Sequence, residues 1–264
     1  MIASHRGSAI SLALLLGLLL VSPALAATPK PKPDAAVKTQ YVDASVTLDA
    51  AIRADAPLAA NLLAEGKRWI EKNRAEAAAE FKSDPELFRD GRAWAFERNY
   101  SQTSKIDGRY VSIVRIDYVY TGGAHPNTEI NTILWDLEAK KRISVRPFFK
   151  ETTDNGPTMK ALQAAAIAAV KAEKKAREVE DDGIWQRGIE PKLLNVGAVS
   201  LAPSTVAGKS AGLDFHYSPY AVGPYAEGSY VVFVPWEAFK AYLSPQGAAI
   251  FAGNKPPETK TDSK

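Results

Sequence analysis

Residues 109–120, RYVSIVRIDYVY, are apolar on both faces of a predicted strand. Alternate positions place two sets of apolar side chains on opposite faces, with Tyr110, Val114, Ile116, Tyr118 and Tyr120 on one and Val111, Ile113 and Val119 on the other. A strand that is apolar on both faces is typical of the interior of a sheet, where neither face meets water. We therefore expect this strand to be central.

Two flanking segments extend this strand into a predicted antiparallel meander. In residues 94–100 and 128–137, the side chains fall into two alternating sets with a period of two, as in a strand with two distinct faces. The Asp107-Gly108 pair favours a tight turn before the central strand. Residues 41–48, 213–217 and 230–234 indicate further short strands.

Helical periodicity is clear in two longer segments. Apolar residues recur at helical spacing over residues 58–81 and 157–180, with charged residues between them. Pro157 and Gly183 are the expected residues at the start and just beyond the end of the second helix, and residues 171–182 are interpreted as its solvated face. A last helix is predicted at residues 235–243. The predicted fold class is α+β, with antiparallel sheets, two main helices and a short C-terminal helix.

The first 26 residues have the pattern of an export signal. Arg6 supplies the positive start, residues 10–21 form a short apolar run, and residues 24–26, Ala-Leu-Ala, form a small-x-small cleavage site. The run is shorter than the roughly 20 residues that a membrane span needs, which makes an uncleaved anchor the weaker alternative. We predict a Sec-type signal peptide cleaved after Ala26, a periplasmic or secreted protein, and no membrane span after cleavage.

Composition limits the possible partners. The sequence contains no cysteine, so its stability must come from a packed core rather than from disulfides. The formal net charge of +3 becomes +2 when Arg6 is removed with the signal peptide. A net charge this close to zero does not indicate a basic surface for nucleic acid, and no nucleic-acid partner is predicted. We further predict a flexible Pro/Lys tether at residues 27–39 and a disordered tail at residues 249–264.

Residues that commonly carry catalysis or bind metals are few. Beyond the signal peptide the histidines are His125 and His216, whereas a zinc site usually takes three or four ligands. No Gly-x-Ser-x-Gly elbow and no phosphate-binding glycine motif is present. Asp117, Asp136 and Asp214 lie on or beside strands and could converge for acid–base chemistry, but their spacing does not require it. We predict no catalytic residue, no metal site and no cofactor, and we interpret His216 as structural.

Two loops have the composition of a recognition surface. Residues 120–126, YTGGAHP, place two glycines before a histidine, and residues 217–228 contain two prolines, two glycines and three tyrosines in twelve residues. Proline lowers the entropy lost on binding, and tyrosine offers a rigid apolar ring with a polar tip. The predicted binding residues are Tyr120, Gly122, Gly123, His125, Pro219, Tyr220, Pro224 and Tyr225. In the alternative interpretation, the tyrosines cover the edge of the core and His125 caps its own loop.

Four segments, taken in order, carry a family resemblance. They are residues 120–125 (YTGGAH), 135–137 (WDL), 142–149 (RISVRPFF) and 215–228 (FHYSPYAVGPYAEG). Together they resemble the extracytoplasmic modules of the RsiV and PdaC type, in which a DUF3298 domain follows a DUF4163-like part. The resemblance spans about residues 40–243. It implies a DUF4163-like part at residues 40–150 and a DUF3298-like part at residues 151–248.

The resemblance also suggests a role. In the anti-sigma members the outer module senses lysozyme by direct binding, and the deacetylase members carry a separate catalytic domain that this sequence does not contain. We therefore predict an exported, non-catalytic binding module that recognises a lysozyme-like protein or a cell-wall glycan such as peptidoglycan. Two alternatives remain open: a hydrolase of envelope polymers that uses His125 and a strand carboxylate, and a purely structural envelope protein.

Overall fold

Six strands form the larger of two sheets. The computed structural model describes residues 32–257, so the predicted signal peptide, residues 27–31 of the predicted tether and residues 258–264 of the predicted tail lie outside the described residues. In chain order, which is also the order in the sheet, the strands are β1 (Ala35–Lys38), β2 (Val42–Leu48), β3 (Trp94–Ile106), β4 (Tyr110–Tyr120), β5 (Asn127–Asp136) and β6 (Lys141–Ile143). The meander β3–β4–β5 is antiparallel with β4 in the middle, as predicted.

One pair of strands, β2 and β3, is parallel. Parallel neighbours need a long crossover connection, and helices α1 (Ala50–Arg53) and α2 (Ala56–Ser83) provide it together with a 3₁₀ turn at Pro85–Gly91. Asp55 caps α2, because its carboxylate accepts a hydrogen bond of 2.8 Å from the backbone N–H of Leu58. The predicted helix at residues 58–81 is confirmed.

Helix α2 covers one face of this sheet and forms the first core. Its buried side chains, Leu58, Leu62, Ile70 and Ala77, pack against strand residues that include Phe96, Val111, Ile113, Ile133 and Trp135. Gly66 lies where the helix approaches β2, and a Cβ at this position would lie 2.7 Å from Cγ1 of Val46. The glycine therefore sets how closely the helix can pack on the sheet.

A smaller antiparallel sheet forms the second core with another helix. Its strands are β7 (Ala198–Pro203), β8 (Ser210–Tyr217) and β9 (Tyr230–Pro235), with β8 in the middle. Helix α3 (Pro157–Ala176) buries Met159, Leu162, Ala166 and Val170 against this sheet. Leu134 of β5 belongs to the second core whereas its neighbours Ile133 and Trp135 belong to the first. The larger sheet therefore separates the two cores and contributes to both.

The C-terminal part of the chain differs from its predicted form. Residues 235–243 form two 3₁₀ turns, Trp236–Ala238 and Lys240–Tyr242, instead of one helix. Between the turns, Phe239 leaves the helical region of φ/ψ space and its ring is buried in the second core. The short C-terminal helix lies later, as α4 (Pro245–Ile250). The α+β fold class is confirmed.

Parts of the predicted tether and tail belong to the folded structure. β1 pairs with β2, and Asp34 just before it forms an ion pair with Arg53. At the other end, Phe251 packs against Phe148 and Phe239 with ring centroids 6.3 and 5.2 Å apart. Lys255 forms an ion pair of 2.9 Å with Asp214. In both segments the run of apolar residues is too short to predict from the sequence that the segment packs against the rest of the protein.

Helix α3 also ends earlier than predicted. It stops at Ala176, and Glu178 rather than Gly183 takes the first left-handed conformation after it, with φ of 56°. None of the helices within residues 32–257 is both long and apolar enough to cross a membrane.

Candidate functional site

The β4–β5 loop is shaped by its two glycines. Gly122 and Gly123 have φ values of 85° and 127°, which side-chain-bearing residues rarely adopt. The hydroxyl of Tyr120 donates a hydrogen bond of 3.2 Å to the carbonyl of Gly123 and so closes the turn. His125, which follows these glycines in the loop, is exposed.

The β8–β9 loop, residues 218–229, lies beside it. Ser218 accepts a hydrogen bond of 2.8 Å from the backbone N–H of Ile130 in β5, which fixes the start of this loop to the larger sheet. Tyr220 has a left-handed backbone with φ of 72° and a side chain that is 59% exposed. Such a conformation is unfavourable for a bulky residue, and it persists only where the surroundings impose it.

Three rings from the two loops meet in one cluster, which we call the aromatic surface: His125, Tyr220 and Tyr225. The imidazole of His125 stacks on the ring of Tyr225 with centroids 3.9 Å apart and planes 19° apart. Tyr220 and Tyr225 lie 5.5 Å apart, and the Tyr220 hydroxyl is 3.4 Å from Nε2 of His125. The hydroxyl of Tyr225 donates a hydrogen bond of 2.9 Å to the carbonyl of Pro126, which ties the loops together.

The other predicted binding residues are not part of the ring cluster, but they shape the loops that carry it. Tyr120, Gly122 and Gly123 shape the loop that presents His125. Pro219 directly precedes Tyr220, and Pro224 begins the 3₁₀ turn Tyr225–Glu227. The structure thus brings together the rings of His125, Tyr220 and Tyr225, whereas Tyr120 and the predicted glycines and prolines shape the two loops.

A buried ion pair supports the β8–β9 loop from below. Nζ of Lys174 lies 2.5 Å from Oε2 of Glu227, and the Tyr230 hydroxyl donates a hydrogen bond to the same oxygen. Burial opposes ionisation of Glu227, but the hydrogen bonds from Lys174 and Tyr230 outweigh it and lower the pKa of this carboxyl. Burial, together with the hydrogen bond to Glu227, raises the pKa of Tyr230 to about 12.

Sequence reasoning missed Lys174. This side chain is only 1% exposed, although it lies within the segment interpreted as a solvated helix face. A signal was present, because Leu162, Ala166, Val170 and Lys174 follow one another at intervals of four residues along the buried face of α3. A charged residue in such a series indicates a buried partner, which here is Glu227.

A cavity adjoins the aromatic surface on the α3 side. Its volume is about 630 Å³, which lies within the range of ligand sites in proteins. Tyr220 and Pro224 line it from the tyrosine-rich loop, and Trp185 and Ile184 line it from the segment that follows α3. Lys174 and Glu227 also line it, so the ion pair that supports the loop of Tyr220 and Tyr225 forms part of the cavity wall.

The candidate carboxylates each pair with a different basic side chain. Asp117 forms two hydrogen bonds of 2.6 Å with Arg98, Asp136 pairs with Arg109, and Asp214 pairs with Lys255. Within residues 32–257 none of the three carboxylates has a hydrogen bond with His125, whose Nδ1 lies 2.9 Å from the Pro126 carbonyl oxygen and whose Nε2 lies 3.4 Å from the Tyr220 hydroxyl. Within residues 32–257 no group of three or more His, Cys, Asp or Glu side chains could hold a metal ion.

His216 has an environment different from that of His125. It is buried on β8, and its Nε2 lies 2.8 Å from Oγ of Ser200 on β7. Burial is the largest influence and lowers the pKa of this imidazole, while the nearby Asp214 carboxylate partly opposes the shift.

Comparison with protein-family models gives one match. Residues 148–237 match DUF3298, a protein family of unknown function. The chain contains a DUF3298 domain. This domain includes α3, β7, β8, β9 and the loop that carries Tyr220 and Tyr225, but His125 precedes it in the chain.

Two solved structures of DUF3298 proteins resemble the chain. One, from Bacteroides fragilis, is 19% identical, with 70% of this chain and 69% of that chain covered and a TM-score of 0.48. The other, from Pseudomonas aeruginosa, is 18% identical, with 81% and 88% covered and a TM-score of 0.47. The comparison with curated proteins finds no match.

Proposed function

We propose that this protein is an exported, non-catalytic binding module that recognises a cell-envelope ligand through the aromatic surface. The ligand class is a lysozyme-like protein or a cell-wall glycan such as peptidoglycan. Export to the periplasm or the medium is inferred from the signal-like residues 1–26. The RsiV and PdaC type of module, with a DUF4163-like part before the DUF3298 domain, belongs to the same proposal and is inferred from the sequence motifs.

One observation carries the proposal: two loops from distant parts of the chain meet through stacked rings at the protein surface. His125 and Tyr225 are in contact across 100 positions of sequence, and Tyr220 beside them is largely exposed. Packing alone gives no reason to leave a tyrosine exposed in a strained left-handed conformation, because this costs free energy. Tyrosine and histidine rings held in this way supply a contact area with polar tips.

Rigidity favours binding by this surface. The Tyr225–Pro126 and Ser218–Ile130 hydrogen bonds join the two loops, and the Lys174–Glu227 ion pair holds the base of the second loop. Side chains that are already ordered lose less entropy when a ligand binds, so more of the contact free energy appears as affinity. The adjoining cavity offers space for a protruding group of the same ligand.

Calorimetry and pull-down with lysozymes and purified peptidoglycan test this function. We expect the wild-type protein to bind one of these classes and the Tyr220→Ala/Tyr225→Ala double variant to bind it at least about thirty-fold more weakly, because aromatic residues at the centre of an interface commonly contribute about 2 kcal/mol or more. Leu87→Ala is the matched control, since it truncates an exposed apolar side chain far from these loops in sequence. Absence of binding by the wild type, or equal binding by the double variant, contradicts the proposal.

A further inference from the structure

A second cleft opens beside the start of the smaller sheet. Its volume is about 530 Å³, within the range of small-molecule sites. Its walls come from β5, the residues after β6, the loop before β7 and the end of β8. The rings of the aromatic surface are not among its lining residues, so this cleft is a site separate from that surface.

His216 is a deeply buried polar side chain that lines this cleft. Its exposed fraction is 7%, and Ser200 holds its Nε2. Within residues 32–257, Nδ1 of His216 has no hydrogen-bond partner. This nitrogen is not among the completely buried polar atoms that lack a partner in the described part of the chain, so it is open to solvent. The free nitrogen gives the cleft one oriented polar group.

The remaining lining combines aliphatic and uncharged polar side chains. Ile130, Leu134 and Val199 provide the apolar part, and Thr132, Ser144 and Ser218 provide hydroxyl groups. Among the residues that the structure describes, Glu129 is the one acidic side chain in the lining, and it already accepts a hydrogen bond of 2.7 Å from Asn131. No Lys or Arg is among the described lining residues, so an anionic ligand would lose hydration here without gaining an ion-pair partner. The lining therefore disfavours an anionic ligand.

We propose that this cleft binds a neutral N-acetylated sugar. An acetamido group joins a carbonyl oxygen to a methyl group, which matches one oriented nitrogen donor beside aliphatic side chains. With the Ser200 hydroxyl donating to Nε2, the ring proton of His216 lies on Nδ1 and is donated to the acetamido carbonyl. The methyl group packs on the aliphatic side chains, and the sugar hydroxyls exchange hydrogen bonds with Thr132, Ser144 and Ser218.

Titration of the purified protein with tri-N-acetylchitotriose tests the assignment. Calorimetry measures affinity, and ¹⁵N NMR follows the ring nitrogens of His216. We expect the trisaccharide to bind and to shift the Nδ1 resonance, and we expect cellotriose, which lacks acetamido groups, to bind at least about tenfold more weakly. His216→Ala removes the donor and should weaken binding of tri-N-acetylchitotriose by a similar factor.

A second variant covers the case in which His216→Ala fails to fold. Ser144 is exposed at the edge of the cleft, so Ser144→Trp should fold and fill the cleft, which abolishes binding. Val206→Ala is the control, because it truncates an exposed apolar side chain that does not line the cleft. The assignment is overturned if the wild type does not bind the trisaccharide, if Ser144→Trp binds it normally, or if cellotriose or an N-acetylated peptide binds equally well.

Discussion

At the scale of single residues, Lys174 links α3 to the loop that carries Tyr220 and Tyr225. Its ammonium group contacts Glu227 and lies over the rings of Trp185 and Tyr230, at 5.6 and 5.2 Å from their centroids. A buried charge of this kind is tolerated because its partner is fixed, and removal of either charge leaves the other uncompensated. The Lys174–Glu227 pair is therefore one of the contacts that fix this loop, together with the Ser218–Ile130 and Tyr225–Pro126 hydrogen bonds.

Replacement of Lys174 should be far more costly than replacement of its neighbours on α3. We expect Lys174→Ala to lower the free energy of unfolding by about 3 kcal/mol, because Glu227 loses its buried counter-charge. Lys171→Ala, on the exposed face of the same helix, should change it by about 0.5 kcal/mol or less. Urea denaturation measures both values. Equal effects for the two variants would refute a supporting role for the ion pair.

His216 should make stability depend on pH. Burial lowers the pKa of its imidazole in the folded protein, so the unfolded chain takes up a proton more readily. The stabilising contribution is therefore fully present above the unfolded pKa of about 6.5 and is lost as the pH falls below it. Asp214, on the same strand face, partly opposes the shift, and Lys255 adds to it.

Denaturation of wild type and His216→Gln over a series of pH values measures this contribution. Glutamine retains polar atoms that can bond Ser200, but it does not titrate. We expect the free energy of unfolding of the variant to vary less steeply just below pH 6.5 than that of the wild type. If the free energies of unfolding of the two proteins change equally with pH, protonation of His216 does not contribute to the pH dependence of stability.

The residues of the aromatic surface were predictable, but their contact was not. Glycine, proline and tyrosine indicated both loops from composition alone. The stacking of His125 on Tyr225 depends on how the smaller sheet docks beside β5, which involves pairings such as Ser218 with Ile130 that leave no local signal in the sequence. His216 was interpreted as structural because sequence does not show that its ring lines a cleft.

At the scale of elements, the contact between α2 and β2 depends on Gly66. Glycine in the middle of a helix costs about 1 kcal/mol relative to alanine, so its presence requires a compensating contact. Val46 of β2 is that contact, since its methyl groups occupy the space that a Cβ at position 66 would need.

A double-mutant cycle tests this contact. We expect Gly66→Ala alone to lower the free energy of unfolding by about 1 kcal/mol, because overpacking outweighs the gain in helix propensity. In the background of Val46→Ala the same substitution should become stabilising, since the clash is gone. Thermal or urea denaturation of the four proteins gives the coupling. If the effects of the two substitutions on the free energy of unfolding are additive, Gly66 and Val46 are not coupled and the helix can move away from β2 without loss of stability.

Elements with long periodic patterns were predicted well, and the exceptions have physical causes. β4 was recognised because its two apolar faces serve two different cores. The last helix was misplaced because burial of Phe239 interrupts the helical backbone after Pro235. β1 was missed because a strand of four residues is too short for its alternation to stand out beside the lysines and prolines before it.

At the scale of the whole molecule, the DUF3298 domain does not contain its own core. The second core also takes Ile106 and Tyr110 from the first half of the chain, and Ile250 and Phe251 from the C-terminal segment. Hydrogen bonds also join the matched residues to the first half of the chain. Ser104 donates one to the Leu201 carbonyl, and Ser112 accepts one from the Leu201 N–H. The matched residues are therefore one part of a larger folding unit.

A fragment of residues 148–237 should consequently fail to fold alone. Loss of several buried aromatic and aliphatic partners, each worth about 2–5 kcal/mol, exceeds the stability of about 5–15 kcal/mol that a domain normally has. We expect poor dispersion in its amide NMR spectrum and no cooperative melting transition, in contrast to residues 32–257. A dispersed spectrum with cooperative unfolding of the fragment would contradict this.

The hydrogen bond from Tyr225 to the carbonyl of Pro126 has a consequence for how such proteins diversify. One of the three rings of the aromatic surface, that of His125, comes from a hairpin tip outside the DUF3298 domain, and among the described residues this tip contributes no side chain to either core. If the aromatic surface binds a ligand as proposed, substitutions or length changes in that tip would change its specificity at little cost to folding. Homologues that share the domain but differ at the tip would then accept different ligands on the same scaffold.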